Sequence, residues 1–364
     1  MKAKSITLYD VAQHAGVSYQ TVSRVINQAE NVSPKTRQKV EAAMAALHYV
    51  PNRVAQQLAG KIGHTIGLAT SDLSLHAPSQ IAAAIKSRAG EKRFNVVISM
   101  TEQSGVEAAR AAINNLLAQR VDGLILNIPL EDEDAQNLAA LCQDVPVLFL
   151  DVSPQLSANS VIFDPAEGAR LGVEHLLTLG HRNIALLAGP QSSVSARLRF
   201  EGWQQALAQQ QLQPVAIMEG DWSALSGYQQ VSRLLIEGVQ PGAILVANDQ
   251  MALGALRALS EAGLQVPGDV SVIGYDDTAD SACFIPPLTT IKQDFRTLGK
   301  ESVERLVEMI HQPDAPARSE LLSVSLVERK TTAPPGERTI SPQALSEALM
   351  QLARQAARLK TNPL

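Results

Sequence analysis

The chain has 364 residues, of which 45% are hydrophobic and 18% charged, with a net charge of −5; that is too long for one ordinary domain and too apolar for a disordered one. Its two cysteines, Cys142 and Cys283, are far apart and lack metal-ligand spacing, so neither a disulfide framework nor a zinc site is expected, and the compartment reads as reducing. The start, MKAKSITLYD, turns polar where a signal peptide would be apolar, and no uninterrupted apolar run is long enough to span a bilayer, so neither export nor a membrane partner is expected.

The charge is uneven along the chain. Up to Ile62, eight Lys/Arg face three acidic residues, a surplus of +5 that leaves −10 on the remainder. A basic module on an acidic body is the asymmetry expected when one end approaches phosphates. Thr7 with Asp10 fits a capping box opening a helix through His14, Ser18 caps a second through about Asn27, and Ser33-Pro34 opens a third. Gly16 falls in the turn between the first two, which is the helix-turn-helix pattern, whose second helix enters the major groove. Helical spacing puts Val22, Val25 and Ile26 on one stripe and Tyr19, Gln20, Ser23 and Arg24 on the other. Gln pairs with adenine, Arg with guanine, and Tyr reaches a base edge or a phosphate. The competing reading is an ordinary three-helix bundle with a polar surface. Asn52 to Gly60, NRVAQQLAG, has a helix cap at one end and a helix stop at the other but is too short to be stable alone. It reads as a hinge that orders on DNA beside a second subunit, with Val54 and Leu58 apolar and Leu58 able to wedge between base steps, or else as a plain linker.

From Thr65 the pattern changes to short apolar runs, TIGLAT, NVVISM, DGLILN, PVLFLD, NIALLAG, AILVAND and VSVIGYDD, each followed by a helical stretch. That alternation predicts parallel sheets covered by helices. The runs form two groups with a break near Phe163, so two doubly wound lobes with a cleft between them are expected, the strand carboxyl ends lining the cleft. After Lys330, TTAPPGERTISP reads as a linker, and a last helix runs from Ser341 to about Leu359. In it Leu345, Leu349, Leu352, Ala356 and Leu359 recur at spacings of four and three, a coiled-coil seam or else a helix docked on its own core. The predicted domains are a headpiece over 1–51, a hinge helix over 52–61, a core over 62–330, a linker over 331–340 and an oligomerisation helix over 341–360. Within the core, the first lobe takes 62–162 and 292–322, and the second takes 163–291 and 323–330.

A sugar site needs planar polar groups for paired hydroxyls and an apolar plate for the ring. Asp151 ends LFLD, Asn248 and Asp249 end LVAND, Asp276 and Asp277 end VIGYDD, Arg199 follows LLAG, and Trp222 stands in GDWSA. Each has a plainer alternative: a helix cap for the strand-end groups, a surface position for Arg199, a core position for Trp222. The Asp151 and Asp276 pair could flank a glycosidic bond. No raised-pKa acid is marked, however, and there is no G-x-S-x-G elbow and no metal-binding His pair, so no enzyme and no cofactor is expected.

LYDVAQHAGVSYQTVSRVIN followed by PNRVAQQLAGK resembles the LacI family of bacterial repressors. The agreement continues through LHAPSQIAAAIKSRA, LLAGPQSSVSARLR, GDWSA, VANDQMALGA, GYDDT and PPLTTIKQDF to the leucine-spaced tail. The resemblance implies an all-α headpiece, a periplasmic-binding-protein-like α/β core of two parallel-sheet lobes, and a C-terminal coiled-coil helix. It implies that Tyr19, Gln20 and Arg24 read the bases of a near-palindromic operator and that Thr7, Leu8, Ser18, Thr21, Ser23, Asn27, Asn52, Val54, Ala55 and Gln56 join the DNA contact, with Leu58 intercalating. It further implies a pocket lined by Leu75, Ala77, Pro78, Ile81, Asp151, Phe163, Ser195, Arg199, Trp222, Asn248, Asp276, Gln293 and Phe295. The joint presence of Arg199, Trp222, Asn248 and Asp276 favours a galactoside inducer, while another sugar or a corepressor mode stays open because purine-responsive relatives share the architecture. The expected assembly is a two-fold dimer, doubled to a tetramer by the tails, in the cytoplasm on the nucleoid.

Overall fold

The structure, a computed structural model, describes residues 6–26, 31–50, 63–101, 105–142, 145–336 and 350. Asn27, the hinge positions Asn52, Val54, Ala55, Gln56 and Leu58, and the seam positions Leu345, Leu349, Leu352, Ala356 and Leu359 lie outside the described residues. The chain divides into two compact units, Met1–Gly63 and His64–Leu364. Among the described residues no helix is long and apolar enough to cross a membrane.

The first unit holds α1 (Leu8–Ala15), α2 (Tyr19–Ile26) and α3 (Pro34–Ala46). The expected starts are all present. Thr7 and Asp10 close a capping box, with Thr7 N donating to Asp10 Oδ2 at 2.7 Å and Asp10 N to Thr7 Oγ1 at 3.4 Å. Thr21 N donates to Ser18 Oγ at 3.1 Å and Thr36 N to Ser33 Oγ at 3.2 Å. Gly16 ends α1 at φ 65°, a left-handed conformation that a residue without Cβ adopts freely. Val11, Ala12, Val22, Val25, Val40 and Ala43 form the core of this unit.

The second unit contains two six-stranded sheets. Strands β1 (Thr65–Thr70), β2 (Asn95–Met100), β3 (Gly123–Asn127), β4 (Val147–Phe149) and β5 (Ser160–Phe163) alternate with α4 (His76–Glu91), α5 (Val106–Leu117) and α6 (Asp132–Leu141). The chain then builds the second sheet from β6 (Ile184–Ala188), β7 (Ala216–Glu219), β8 (Ala243–Val246), β9 (Ser271–Asp276) and β10 (Thr289–Lys292). Its helices are α7 (Pro165–Thr178), α8 (Val194–Gln209), α9 (Ala224–Ile236) and α10 (Asp249–Glu261). Finally α11 (Phe295–His311) and β11 (Ser319–Leu322) return to the first sheet and β12 (Ser325–Val327) to the second. The strand orders are β11-β5-β4-β3-β1-β2 and β12-β10-β9-β8-β6-β7. Every pairing is parallel except that of β12 with β10.

Strands β1, β3, β6, β8 and β9 are buried along their whole length, because helices cover both faces. Such strands carry continuous apolar runs, which is why they are legible in the sequence. The unread strands β5, β7, β10, β11 and β12 are short or polar. In β10, Thr289 and Thr290 are fully buried, the Thr290 hydroxyl donating to Asp249 Oδ1 at 2.6 Å. Residues 331–336, read as the start of the linker, are docked on the second lobe. Thr331 is fully buried and its Oγ1 donates to Val272 O at 2.6 Å, while Ala333 N donates to Ser271 Oγ at 3.1 Å.

Candidate functional site

In the headpiece, α2 turns Val22 and Val25 into the core and leaves Tyr19, Gln20 and Arg24 exposed, with Thr21 and Ser23 half-buried. Thr7, Ser18 and Thr21 spend their side chains on caps, and Leu8 packs partly against the core. Tyr9, not picked out from the sequence, stacks on Tyr19 with centroids 4.7 Å apart and planes at 25°. Stacking of this kind holds an otherwise free aromatic side chain in place. Arg37 Nη1 donates to Val25 O at 3.5 Å near the end of α2.

In the core unit, the carboxyl ends of both sheets face one cavity of about 570 Å³. All thirteen candidate ligand residues line it. From the first lobe come Leu75, Ala77, Pro78 and Ile81 at the start of α4, Asp151 just after β4, Phe163 at the end of β5 and Phe295 at the start of α11. Phe163 and Phe295 meet edge to face at 5.8 Å. From the second lobe come Ser195 and Arg199 on α8, Trp222 in the turn after β7, Asn248 capping α10, Asp276 ending β9 and Gln293 just after β10; the expected lobe boundaries at 162/163 and 291/292 are therefore off by a residue or two, because Phe163 completes β5 of the first sheet and Lys292 completes β10 of the second.

Arg199 is a buried cation, not a surface one. Its guanidinium carbon lies 3.4 Å from the Tyr275 ring centroid and 5.9 Å from that of Trp222, and Nη1 donates to Ala247 O. Asn248 fulfils the cap reading as well as lining the cavity: Oδ1 accepts from Met251 N at 2.9 Å, and Nδ2 donates to Trp222 O at 3.0 Å. Trp222 and Asp276 sit at φ 74° and 119°. Residues with a Cβ seldom hold positive φ, least of all a bulky one such as Trp222 or one as far from the left-handed helical region as Asp276, and such strain gathers at functional sites.

Burial pushes the Asp276 carboxyl well above its ordinary value; the charge of Arg199 opposes the rise and that of Asp249 adds to it. Burial also raises Asp151, against the bonds from Ser195 and the charges of Arg199 and Arg197. Raised acids are therefore present, although nothing in the sequence marks them. Two strand-end candidates stand elsewhere. Asp249 is fully buried beneath the site, accepting from Ser281 Oγ at 2.6 Å, Thr290 Oγ1 at 2.6 Å and Thr278 N at 2.9 Å. Asp277 pairs with Arg329 at 2.5 Å. Asn127, His76, Ser193 and Asp221 line the cavity unforeseen. Asn127 ends the run DGLILN, the same strand-end signal that singles out Asp151 in LFLD.

A helix-turn-helix unit joined in one chain to a two-lobed core with a polar and aromatic cleft makes a ligand-controlled DNA-binding regulator. Residues 7–52 match the bacterial regulatory proteins of the lacI family, and residues 173–332 match a periplasmic binding protein-like domain. The lactose operon repressor of Escherichia coli (strain K12) is 64% identical over 358 residues, covering 98% of this chain and 99% of the relative. The lactose operon repressor of Klebsiella pneumoniae is 48% identical over 334 residues, covering 92% and 94%. A crystal structure of the lac repressor dimer bound to operator and the anti-inducer ONPF superposes with a TM-score of 0.85 at 64% identity, covering 91% of this chain and 100% of that one. The chain belongs to the LacI family of bacterial regulatory proteins, and it is a regulator, not an enzyme.

Proposed function

We propose that this chain represses a lactose or related galactoside operon from the cytoplasm, binding a near-palindromic operator as a dimer or tetramer and releasing it when a galactoside occupies the cleft. The observation that carries this reading is the meeting of aromatic plates (Trp222, Phe163, Phe295) with Arg199, Asn248, Asp151 and Asp276 in one cavity. Apolar faces suit the C–H side of a pyranose, and planar polar groups suit its paired hydroxyls. The names of the two relatives supply the regulon. Tyr19, Gln20 and Arg24 are assigned to base reading, steadied in the case of Tyr19 by Tyr9, and Leu58 to the operator centre. Ligand favours one orientation of the lobes and operator the other, so the coupling is reciprocal: bound operator weakens ligand affinity by the factor by which ligand weakens operator affinity.

The test is operator binding by the full chain, measured with and without galactosides over a range of salt. Release by a galactoside, and not by a purine base, is the expected result. Tighter operator binding with ligand would replace induction by corepression, and indifference to galactosides would overturn the ligand class.

A further inference from the structure

Two charged side chains that do not line the cavity join the lobes at its rim. Arg197, in the first turn of α8 on the second lobe, donates through Nη2 to Oε1 of Glu131, the residue that precedes α6 on the first lobe. Nη1 of the same guanidinium donates to Gln191 O at 3.0 Å, which holds it against the loop leading into α8. Two residues earlier, Ser195 N donates to Asp151 Oδ1 of the first lobe at 3.2 Å. The start of α8 is thus fastened to the first lobe twice, inside by a hydrogen bond to a cavity residue and outside by an ion pair. Glu131 does not cap its own helix, and the first turn of α6 adds Asp132, Glu133 and Asp134. The element facing Arg197 therefore carries concentrated negative charge.

We propose that the Glu131–Arg197 ion pair is a clasp across the cleft rim that slows ligand release, and that Arg197 is a positioning residue holding Ser195 N against Asp151. The inference rests on the reading of the cleft as the ligand site. Drawing the lobes apart at this rim separates Glu131 from Arg197, whereas the encounter of ligand with an open cleft does not require the pair. The clasp therefore acts on the rate of release more than on the rate of association. The Glu131 side chain is 62% exposed and that of Arg197 28%, so salt screens the pair and its contribution is modest.

The experiment follows release of isopropyl thiogalactoside from the full chain by stopped-flow tryptophan fluorescence, Trp222 lying in the cavity wall. The proteins are wild type, Glu131→Gln, Arg197→Gln and the charge-swapped double variant Glu131→Arg/Arg197→Glu, each at low and at high salt. At low salt each single variant should release the sugar roughly two- to fivefold faster than wild type, the range that exposed ion pairs support. Wild-type release should quicken with salt while that of the single variants stays flat, and the swap should return towards wild type. Release unchanged in both single variants overturns the clasp while leaving the cleft reading intact, since wild type still binds. Faster release that keeps the wild-type salt dependence and is not restored by the swap also overturns it, because packing and not charge would be responsible. Failure of wild type to bind the galactoside at all removes the clasp together with the reading beneath it.

Discussion

Arg199 and Asp276 illustrate how far a side chain's meaning depends on its surroundings. In the sequence one is a basic residue on a helix and the other an acid after a strand; in the fold both are buried beside the same cavity, with Arg199 over the Tyr275 ring. A sugar hydroxyl that loses its partner in such a place costs about 1–3 kcal/mol. Arg199→Ala and Asp276→Ala should therefore bind operator as wild type does yet fail to release it at galactoside concentrations that empty the wild-type operator; normal release in either variant would exclude that residue from the pocket. Asp249 makes a different prediction. Burial pushes its carboxyl up from 3.8 to about 6, against the bonds from Ser281, Thr290 and Thr278. The folded chain binds this proton more tightly than the unfolded chain, so the stabilising contribution is complete below pH 3.8 and is lost as pH rises through about 6. At about 1.4 kcal/mol per pKa unit, Asp249→Asn should remove a decline of a few kcal/mol between acid and neutral pH. Denaturant unfolding of both proteins across that window checks it, a constant difference between them being the contrary result.

Among the elements, α9 and α10 pack closely because glycine stands on both sides of the contact. A Cβ added at Gly254 would lie 1.9 Å from Ala224 O, and one at Gly227 would lie 2.2 Å from Met251 O. Backbone cannot withdraw as a flexible side chain can. Gly254→Ala should consequently lower stability by about 1–3 kcal/mol, the usual cost of overpacking, and shift Asn248, which caps α10 and holds Trp222 O. Calorimetric melting together with galactoside affinity tests this; an unchanged melting temperature would mean that the helices part without cost. Much of the element order can be read from the chain because fully covered parallel strands need continuous apolar runs. The edge strand β11 (SELL) and the threonine-rich β10 need none, and they escape the same reading.

For the molecule as a whole, base-reading candidates and cavity residues belong to different compact units. Removing residues 1–61 should abolish operator binding and leave galactoside affinity within about twofold, a factor worth less than 0.5 kcal/mol; loss of ligand binding in a folded truncated protein would contradict this modularity. A version ending at Pro335 keeps the docked residues Thr331 and Ala333 and loses the leucine-spaced tail. The full chain should sediment as a tetramer and this version as a dimer, with single-operator binding kept, and equal masses would reject the tail seam. Alanine has less apolar area to bury than leucine, at roughly 25 cal/mol per Å², so if the tails join the dimers, an Ala356→Leu variant should dissociate on dilution less readily than the wild-type chain.

Local chemistry was enough to determine the capped helices of the headpiece, the polar face of α2, the covered strands and the polar groups at their ends, because caps, periodicity and apolar runs are short-range properties of a chain. Which strand-end groups reach the cavity was decided by tertiary structure alone. Asp151 and Asp276 face it, whereas Asp249 and Asp277, from equally suggestive positions, satisfy buried hydroxyls and Arg329. Successive residues at a strand's end point to opposite sides, and the side that meets the cavity depends on where the other lobe lies. The rim pair of Glu131 and Arg197, 66 residues apart in the chain, exists for the same reason: no local pattern records which residues two separately wound sheets bring face to face.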